Sequence, residues 1–290
     1  MQIAFIGMGE AGSAIVGGWE GALPGRLAAY DVKTDAPETA AALWDRYAAL
    51  GIEGRASLAE ALDGADLAFS VVTADRAVEA AEAAAPMLAR GAIWCDLNSV
   101  APASKRRAAR AVEAAGGRYA DVAVMAPVHP RRNMVPLLVS GPHAGDVAAI
   151  LSALPMAPRV VEGEVGAASA IKMIRSVMVK GMEALTAECV LAATAAGVAD
   201  EVLASLGRSH PGVDWPKQSA YNLERAARHG LRRAAEMEEV AQTLRDLGLP
   251  DAMARATVDW QRRIGGLGEA PDADAPLEAQ AAALLARLRG

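Results

Sequence analysis

The run Ile3-Ala4-Phe5-Ile6-Gly7-Met8-Gly9-Glu10-Ala11-Gly12-Ser13-Ala14-Ile15-Val16-Gly17 decides the architecture of this 290-residue chain. A short apolar strand enters a turn carrying Gly7, Gly9 and Gly12, and the chain leaves that turn as a helix. In such a turn the first glycine permits the bend, the second lets a pyrophosphate approach the backbone, and the third lets the helix pack on the strand. The helix N-terminus then faces the phosphates. The spacing alone is a weak signal. It gains force from Asp31, which closes the second apolar run 19 residues beyond Gly12, where a carboxylate accepts hydrogen bonds from an adenosine ribose and repels a 2′-phosphate. Gly7, Met8, Gly9, Glu10, Ala11, Gly12 and Asp31 are therefore the expected dinucleotide contacts, with NAD as the expected cofactor. Lys33, a cation two residues after Asp31, keeps NADP open.

Outward from this turn, apolar runs at 3–6, 27–30, 67–72, 92–95 and 119–124 alternate with Ala-rich helical stretches. Alternation of this kind predicts a doubly wound, Rossmann-type α/β domain with a parallel sheet covered on both faces. Runs at 136–140 and 159–162 read as additional strands, one of them a candidate antiparallel edge. Strand signals stop near Val165, and a single helical segment continues to about Ala196, where Gly197 offers a cap. At about 1.5 Å per residue that helix spans roughly 45 Å, enough to join two domains. The remainder reads as helices broken around His210-Pro211-Gly212, Gly248-Leu249-Pro250 and 265–276, with a last helix at 277–289. The expected organisation is a dinucleotide-binding domain at 1–163 and an all-helical substrate and dimerisation domain at 164–290.

Composition narrows the function classes. The chain is 53% apolar and 22% charged, so it can bury a core, and its formal charge of −6 gives nucleic acid and anionic membrane no basic surface to hold. Charge, Pro or Gly cuts every apolar run before about 18 residues, the length a spanning helix needs. The opening Met1-Gln2-Ile3-Ala4 enters a strand without a basic flank, and the expected location is the cytoplasm. Cys95 and Cys189 lie far apart in apolar surroundings, as two unpaired small side chains rather than a disulfide or a metal site.

Three further segments carry candidate chemistry. Val71-Val72-Thr73 ends the third long run, where ligands of open α/β sheets sit, so Thr73 is a candidate contact for the nicotinamide ribose or else a helix cap. Asp96-Leu97-Asn98-Ser99 closes the fourth run, placing small polar side chains at a strand end. Only five of the 29 basic residues are lysine, at 33, 105, 172, 180 and 217, so each lysine invites a reason. Lys172 stands on an otherwise apolar helix, with Arg175 and Ser176 three and four residues on and Lys180 two turns along. Polar groups on one stripe of an apolar helix are costly unless paired or lining a cavity. A desolvated lysine beside other cations also has the lowered pKa that suits a general base.

The glycine turn, the Asp96 segment and the Gly163-x-x-Gly166-x-x-x-x-x-Lys172 helix, in this order, resemble the β-hydroxyacid dehydrogenase superfamily, which includes 3-hydroxyisobutyrate and 6-phosphogluconate dehydrogenases. The resemblance implies hydride transfer between a nicotinamide and a small 3-hydroxy acid or polyol acid. It implies Lys172 as catalytic base, Ser176 at a position where the family usually has Asn, and Asn98 with Ser99 as the pair touching substrate. The segment from His229 to Met237 looks like a divergent branch of the phosphogluconate dehydrogenase-like proteins. The same architecture also serves imine and carbonyl reductases, and a non-catalytic dinucleotide sensor is the reading from another class.

The chain departs from the family in the recognition segment. Where the family places Ser-Gly-Gly after the residue matching Asp121, this chain has Met125-Ala126-Pro127, and proline has no N–H for a substrate carboxylate. A rebuilt pocket for an anionic substrate would draw on Met125, Ala126, Arg175, Lys180 and one of Arg131 or Arg132. Val179 stands where decarboxylating members carry a glutamate, so phosphogluconate itself is not expected. The 165–196 helix is apolar nearly all round, through Ile171, Ile174, Val177, Met178, Met182, Leu185, Val190 and Leu191. Such a helix needs cover on every side, which predicts a homodimer with His229, Arg232 or Arg233 near the neighbour's substrate.

Overall fold

A computed structural model describes residues 1–19 and 25–289. The chain divides into two compact units, Met1–Met173 and Ile174–Gly290. The division falls inside the long helix rather than at 163/164, because the first turns of that helix are tied to the sheet by bonds described below.

The first unit runs β1 (Gln2–Ile6), α1 (Glu10–Gly18), β2 (Arg26–Tyr30), α2 (Pro37–Leu50), β3 (Glu53–Gly54), α3 (Leu58–Leu62), β4 (Leu67–Ser70), α4 (Ala77–Ala84), β5 (Ile93–Asp96), α5 (Pro102–Ala114), β6 (Arg118–Val124), β7 (Pro136–Ser140), α6 (Ala144–Ala153) and β8 (Ala157–Val160). These eight strands form one sheet in the order β3-β2-β1-β4-β5-β6-β7-β8. Every neighbouring pair is parallel except β6 with β7. The architecture is thus the doubly wound sheet expected from the alternating runs. Strand order reverses between β1 and β4, and ligands of open α/β sheets bind at such a switch point.

Side-chain alternation fills both faces. Ile3, Phe5, Leu67, Phe69 and Val122 pack on one side, and Ala4, Ile6, Ala68, Trp94 and Tyr119 on the other. Phe5 stacks on Phe69 with ring centroids 4.8 Å apart, and Trp19 of the helical layer meets Phe5 edge-on. Burial on both faces explains why the strands read as continuous apolar runs.

Three boundaries differ from the sequence reading. The run at 67–72 stops as strand at Ser70 because Val71 and Val72 turn against the glycine loop and the Asn98 side chain. β8 begins at Ala157 and ends at Val160, ahead of the 159–162 reading. β3, two residues long, is too short to leave a periodic trace.

The long helix, α7 (Ala167–Ala195), continues into the second unit, which adds α8 (Ala199–Ser209), α9 (Trp215–Asp246), α10 (Ala252–Gly265) and α11 (Leu277–Arg289). The breaks match the Pro/Gly positions read from sequence. The core of this unit gathers Val190, Leu191, Leu223, Ala226, Ile264 and Leu284. α7 is not covered all round: Ile174, Met178, Met182 and Leu185, at successive i+3 and i+4 positions, are exposed, Met178 by 65% and Leu185 by 63%. Cys95 is buried, Cys189 half-buried, and both are free thiols. Burial pushes the Cys95 thiol well up. Among the described residues no helix is long and apolar enough to cross a membrane, and no cluster of His, Cys, Asp or Glu could hold a metal ion.

Candidate active site

The glycine turn closes the carboxyl end of β1 at the switch point. Gly7 adopts φ +95°, and a Cβ there would stand 2.5 Å from the Val71 carbonyl oxygen, so β4 approaches the turn as closely as only glycine allows. Gly9, the N-cap of α1, is exposed, and a Cβ on it would meet nothing within 4 Å. That open face lies over the first turn of α1, whose leading N–H groups have no helical partner and favour an anion. A dinucleotide pyrophosphate fits this cradle. Glu10 and Ala11 form the first turn, with Glu10 exposed.

Asp31 ties the turn to the end of β2. Its Oδ2 accepts the Met8 N–H at 2.8 Å and its Oδ1 accepts the Lys33 N–H at 3.0 Å. Each oxygen keeps a lone pair for a ribose hydroxyl. Arg46 of α2 donates to the Met8 carbonyl at 2.7 Å, setting a guanidinium at the turn that nothing in the sequence pattern signals. Lys33 is exposed. Tyr30, at the end of β2, has its hydroxyl pushed up to about 12 by burial and its bond to Asp35. Thr73 is exposed at the N-cap position of a 3₁₀ turn, where its carbonyl accepts the Arg76 N–H, and its hydroxyl makes no capping bond.

Beyond β5 the chain forms a buried polar network. Asn98 accepts the Val72 N–H at 2.8 Å and spends both amide hydrogens, on Ser70 Oγ at 2.9 Å and Asp96 Oδ1 at 2.7 Å. It therefore braces the ends of β4 and β5 against each other, and one Oδ1 lone pair is all it retains for a substrate. Asp96 also accepts the Tyr119 hydroxyl at 2.7 Å. Burial, followed by the charges of Asp96 and Asp121, holds the Tyr119 hydroxyl well above its ordinary pKa. Lys105, fully buried, stands 3.0 Å from Asp96 Oδ1 and 3.5 Å from Asp121 Oδ1, and donates to the Asp96 carbonyl at 2.6 Å.

Asp121 anchors α7. Its Oδ2 accepts the N–H groups of Gly166 and Ser169 at 3.0 and 3.1 Å and its Oδ1 the Ser169 hydroxyl at 2.6 Å. A carboxylate at a helix N-terminus satisfies orphan donors and meets the positive end of the dipole. Three residues beyond Ser169 the half-buried Lys172 donates through Nζ to Ser99 Oγ. The structure thus joins two segments that sequence reading singled out separately.

The other proposed substrate residues sit differently. Ser176 is buried one turn beyond Lys172, while Arg175 is exposed. Lys180 is buried and ion-paired with Glu236, and Arg233 is buried against Glu183, so α9 meets these two side chains of α7 with opposite charge. Burial nevertheless raises the Glu183 pKa, against the pull of Arg233. Arg232 is exposed beside His229, 3.4 Å from its ring. In the divergent segment the Met125 N–H donates to the Pro136 carbonyl, leaving it nothing for a carboxylate, and Ala126 is half-buried. Arg132, at φ +50°, points its guanidinium toward the Gly17 carbonyl at the end of α1, and Arg131 is exposed.

Residues 2–158 match the family model for the NAD binding domain of 6-phosphogluconate dehydrogenase, and residues 193–264 match a domain of unknown function, DUF1932. A conserved hypothetical protein from Sinorhizobium meliloti 1021 is 39% identical with a TM-score of 0.75, over 99% of this chain and 96% of that one. A conserved protein of unknown function, described as structurally similar to 3-hydroxyacid dehydrogenases, is 26% identical with a TM-score of 0.67, over 91% and 98% of the chains. The 3-hydroxyisobutyrate dehydrogenase of Mycobacterium tuberculosis shares the fold, with 18% identity and a TM-score of 0.71 over 98% of each chain. No curated protein matches the sequence. With its eight-stranded sheet, its glycine turn at the switch point and its matched NAD-binding half, the chain belongs to the β-hydroxyacid dehydrogenase-like family of NAD(P)-binding oxidoreductases with a helical C-terminal domain.

Proposed function

We propose that the protein is an NAD-dependent dehydrogenase of a small, anionic 3-hydroxy acid, with Lys172 as general acid and base. The observation that carries this reading is the Lys172 Nζ donating to a hydroxyl, that of Ser99, at the carboxyl end of the sheet. A side chain that reaches one hydroxyl oxygen there has the placement needed to take the proton of a substrate carbinol. The first turn of α1 would hold the pyrophosphate and Asp31 the adenosine ribose. When bound, a nicotinamide dinucleotide accepts hydride from the carbinol carbon or returns it. Lys172 as the neutral amine takes the hydroxyl proton in oxidation, and as the ammonium so formed gives it back in reduction, while Ser176, one turn on, orients substrate oxygens. NAD is favoured over NADP because Asp31 would face a 2′-phosphate, although Lys33 and Arg46 stand at the same turn.

The exposed stripe Ile174, Met178, Met182 and Leu185 supports a two-fold dimer through the helical unit, since large apolar side chains in a row rarely stay in water. A screen of 3-hydroxy acids with NAD⁺ and with NADP⁺, read as NADH or NADPH absorbance, tests the reading. Turnover on at least one acid, faster with NAD⁺, is the expected result. Turnover only on ketone-plus-amine mixtures would assign the chain to imine reduction, and NADH binding without any turnover would assign it to sensing. Light scattering that finds a monomer at micromolar concentration would remove the dimer.

A further inference from the structure

We propose that Lys105 is a positioning residue that sets the register between Lys172 and Ser99; this rests on the reading of Lys172 as the acid and base. The geometry has two arms and one tie. The first arm leaves Asp96, whose Oδ1 accepts the Asn98 N–H at 2.9 Å, and ends at Ser99 three residues on. The second leaves Asp121, passes through its bonds to Gly166 and Ser169, and ends at Lys172 three residues beyond Ser169. At the tips Lys172 donates to Ser99.

At the base stands Lys105, whose ammonium donates to the Asp96 carbonyl at 2.6 Å and ion-pairs with both roots, 3.0 Å from the Asp96 carboxylate and 3.5 Å from that of Asp121. Asp96, Lys105 and Asp121 are each 0% exposed, so water cannot substitute for the tie. The remaining capacity of the carboxylates is also spent within the protein, on Tyr119, Asn98, Ser140, Ser169 and Gly166. Two carboxylates against one ammonium leave a net negative charge at the base, and the N-terminus of α7 offsets it at Asp121. Lys105 therefore couples the neighbouring strands β5 and β6 to the start of α7, and a small shift of one arm would be felt at the other. Ser140 reinforces the second arm, since its hydroxyl donates to Asp121 and accepts the Ala168 N–H at 2.9 Å.

The test compares wild type, Asp96→Asn and Asp96→Asn/Lys105→Met. The double variant keeps the wild-type net charge at the base but has no tie. Amide hydrogen exchange is read at Gly166, Ala168 and Ser169, and acylation of Lys172 by acetic anhydride by peptide mass spectrometry. Relative to Asp96→Asn, the double variant should exchange these amides on the order of tenfold faster and change Lys172 acylation about threefold. NADH binding, which belongs to the glycine turn, should stay within about threefold in both variants, a factor of three being well under 1.4 kcal/mol. Equal exchange and equal labelling in the two variants would overturn the proposal. So would a double variant that fails to fold where Asp96→Asn folds, since Lys105 would then serve stability alone. Neither readout uses a substrate, so a wild-type protein that turns over no hydroxy acid would defeat the proposed function and leave this result to stand by itself.

Discussion

The two halves of α7 put polar groups on the same stripe and use them in opposite ways. Near its start, Asp121 satisfies the helix backbone and Lys172 reaches a hydroxyl at the end of the sheet. Further along, Lys180 and Glu183 are closed off by Glu236 and Arg233 of α9. A buried charge is retained only with partners, and whether those partners are backbone and hydroxyls at a strand end or opposing side chains on a facing helix decides what the charge can do. The first arrangement sets a lysine against a hydroxyl at a strand end, where we propose that it acts as acid and base. The second fixes how α7 and α9 pack.

The largest expected effect tests the half proposed to be catalytic. Lys172→Ala should lower turnover by about 10² to 10⁴, the range for a positioned acid-base group, with NADH binding and the melting temperature near wild type. Near-normal turnover would dissolve the distinction drawn between the halves. Arg233→Met addresses the other half: leaving Glu183 buried without its cation should cost about 3–5 kcal/mol in denaturant unfolding, and Glu183→Leu/Arg233→Met should recover most of it. If the double variant is no more stable than the single, the pair is not a packing device.

Tyr119→Phe sharpens the contrast at smaller scale, because the lost bond to Asp96 is worth about 1.5–3 kcal/mol for a buried donor on a charged acceptor. It also has a pH signature. An unfolded tyrosine ionises near pH 10, about its ordinary value, whereas burial keeps the folded Tyr119 protonated well above that. The unfolded chain therefore binds fewer protons than the folded one above that pH, and wild-type stability falls as pH rises through it. Tyr119→Phe should show a shallower alkaline decline, not an abolished one, since Tyr47 and Tyr30 are raised in the same sense, chiefly by burial. Smallest of all, Glu79→Ala breaks an exposed i,i+3 pair with Arg76 and should leave the unfolding midpoint unchanged within error.

Much of this was legible in one dimension. Gly7, Gly9 and Gly12 after an apolar strand, with Asp31 at the end of the next, specify a nucleotide-binding turn because backbone conformation and close approach are local demands that only certain residues meet. Alternating strand and helix periodicity specified the parallel sheet for the same reason, and Pro and Gly positions marked the helix breaks. The rarity of lysine flagged Lys105 and Lys172 alike without telling their roles apart. Tertiary structure alone decided that Lys105 is enclosed between Asp96 and Asp121, that Asn98 spends its amide on the ends of two strands, that Lys180 meets Glu236, and that Arg132 turns toward α1. Each of these includes a partner distant in the chain, Asp121 for Lys105 and Ser70 for Asn98 among them, and a charge carries no mark in sequence of the partner that folding will bring to it. Local geometry is written residue by residue, whereas the partner of a buried charge is set by which strand ends and helix faces the sheet brings together.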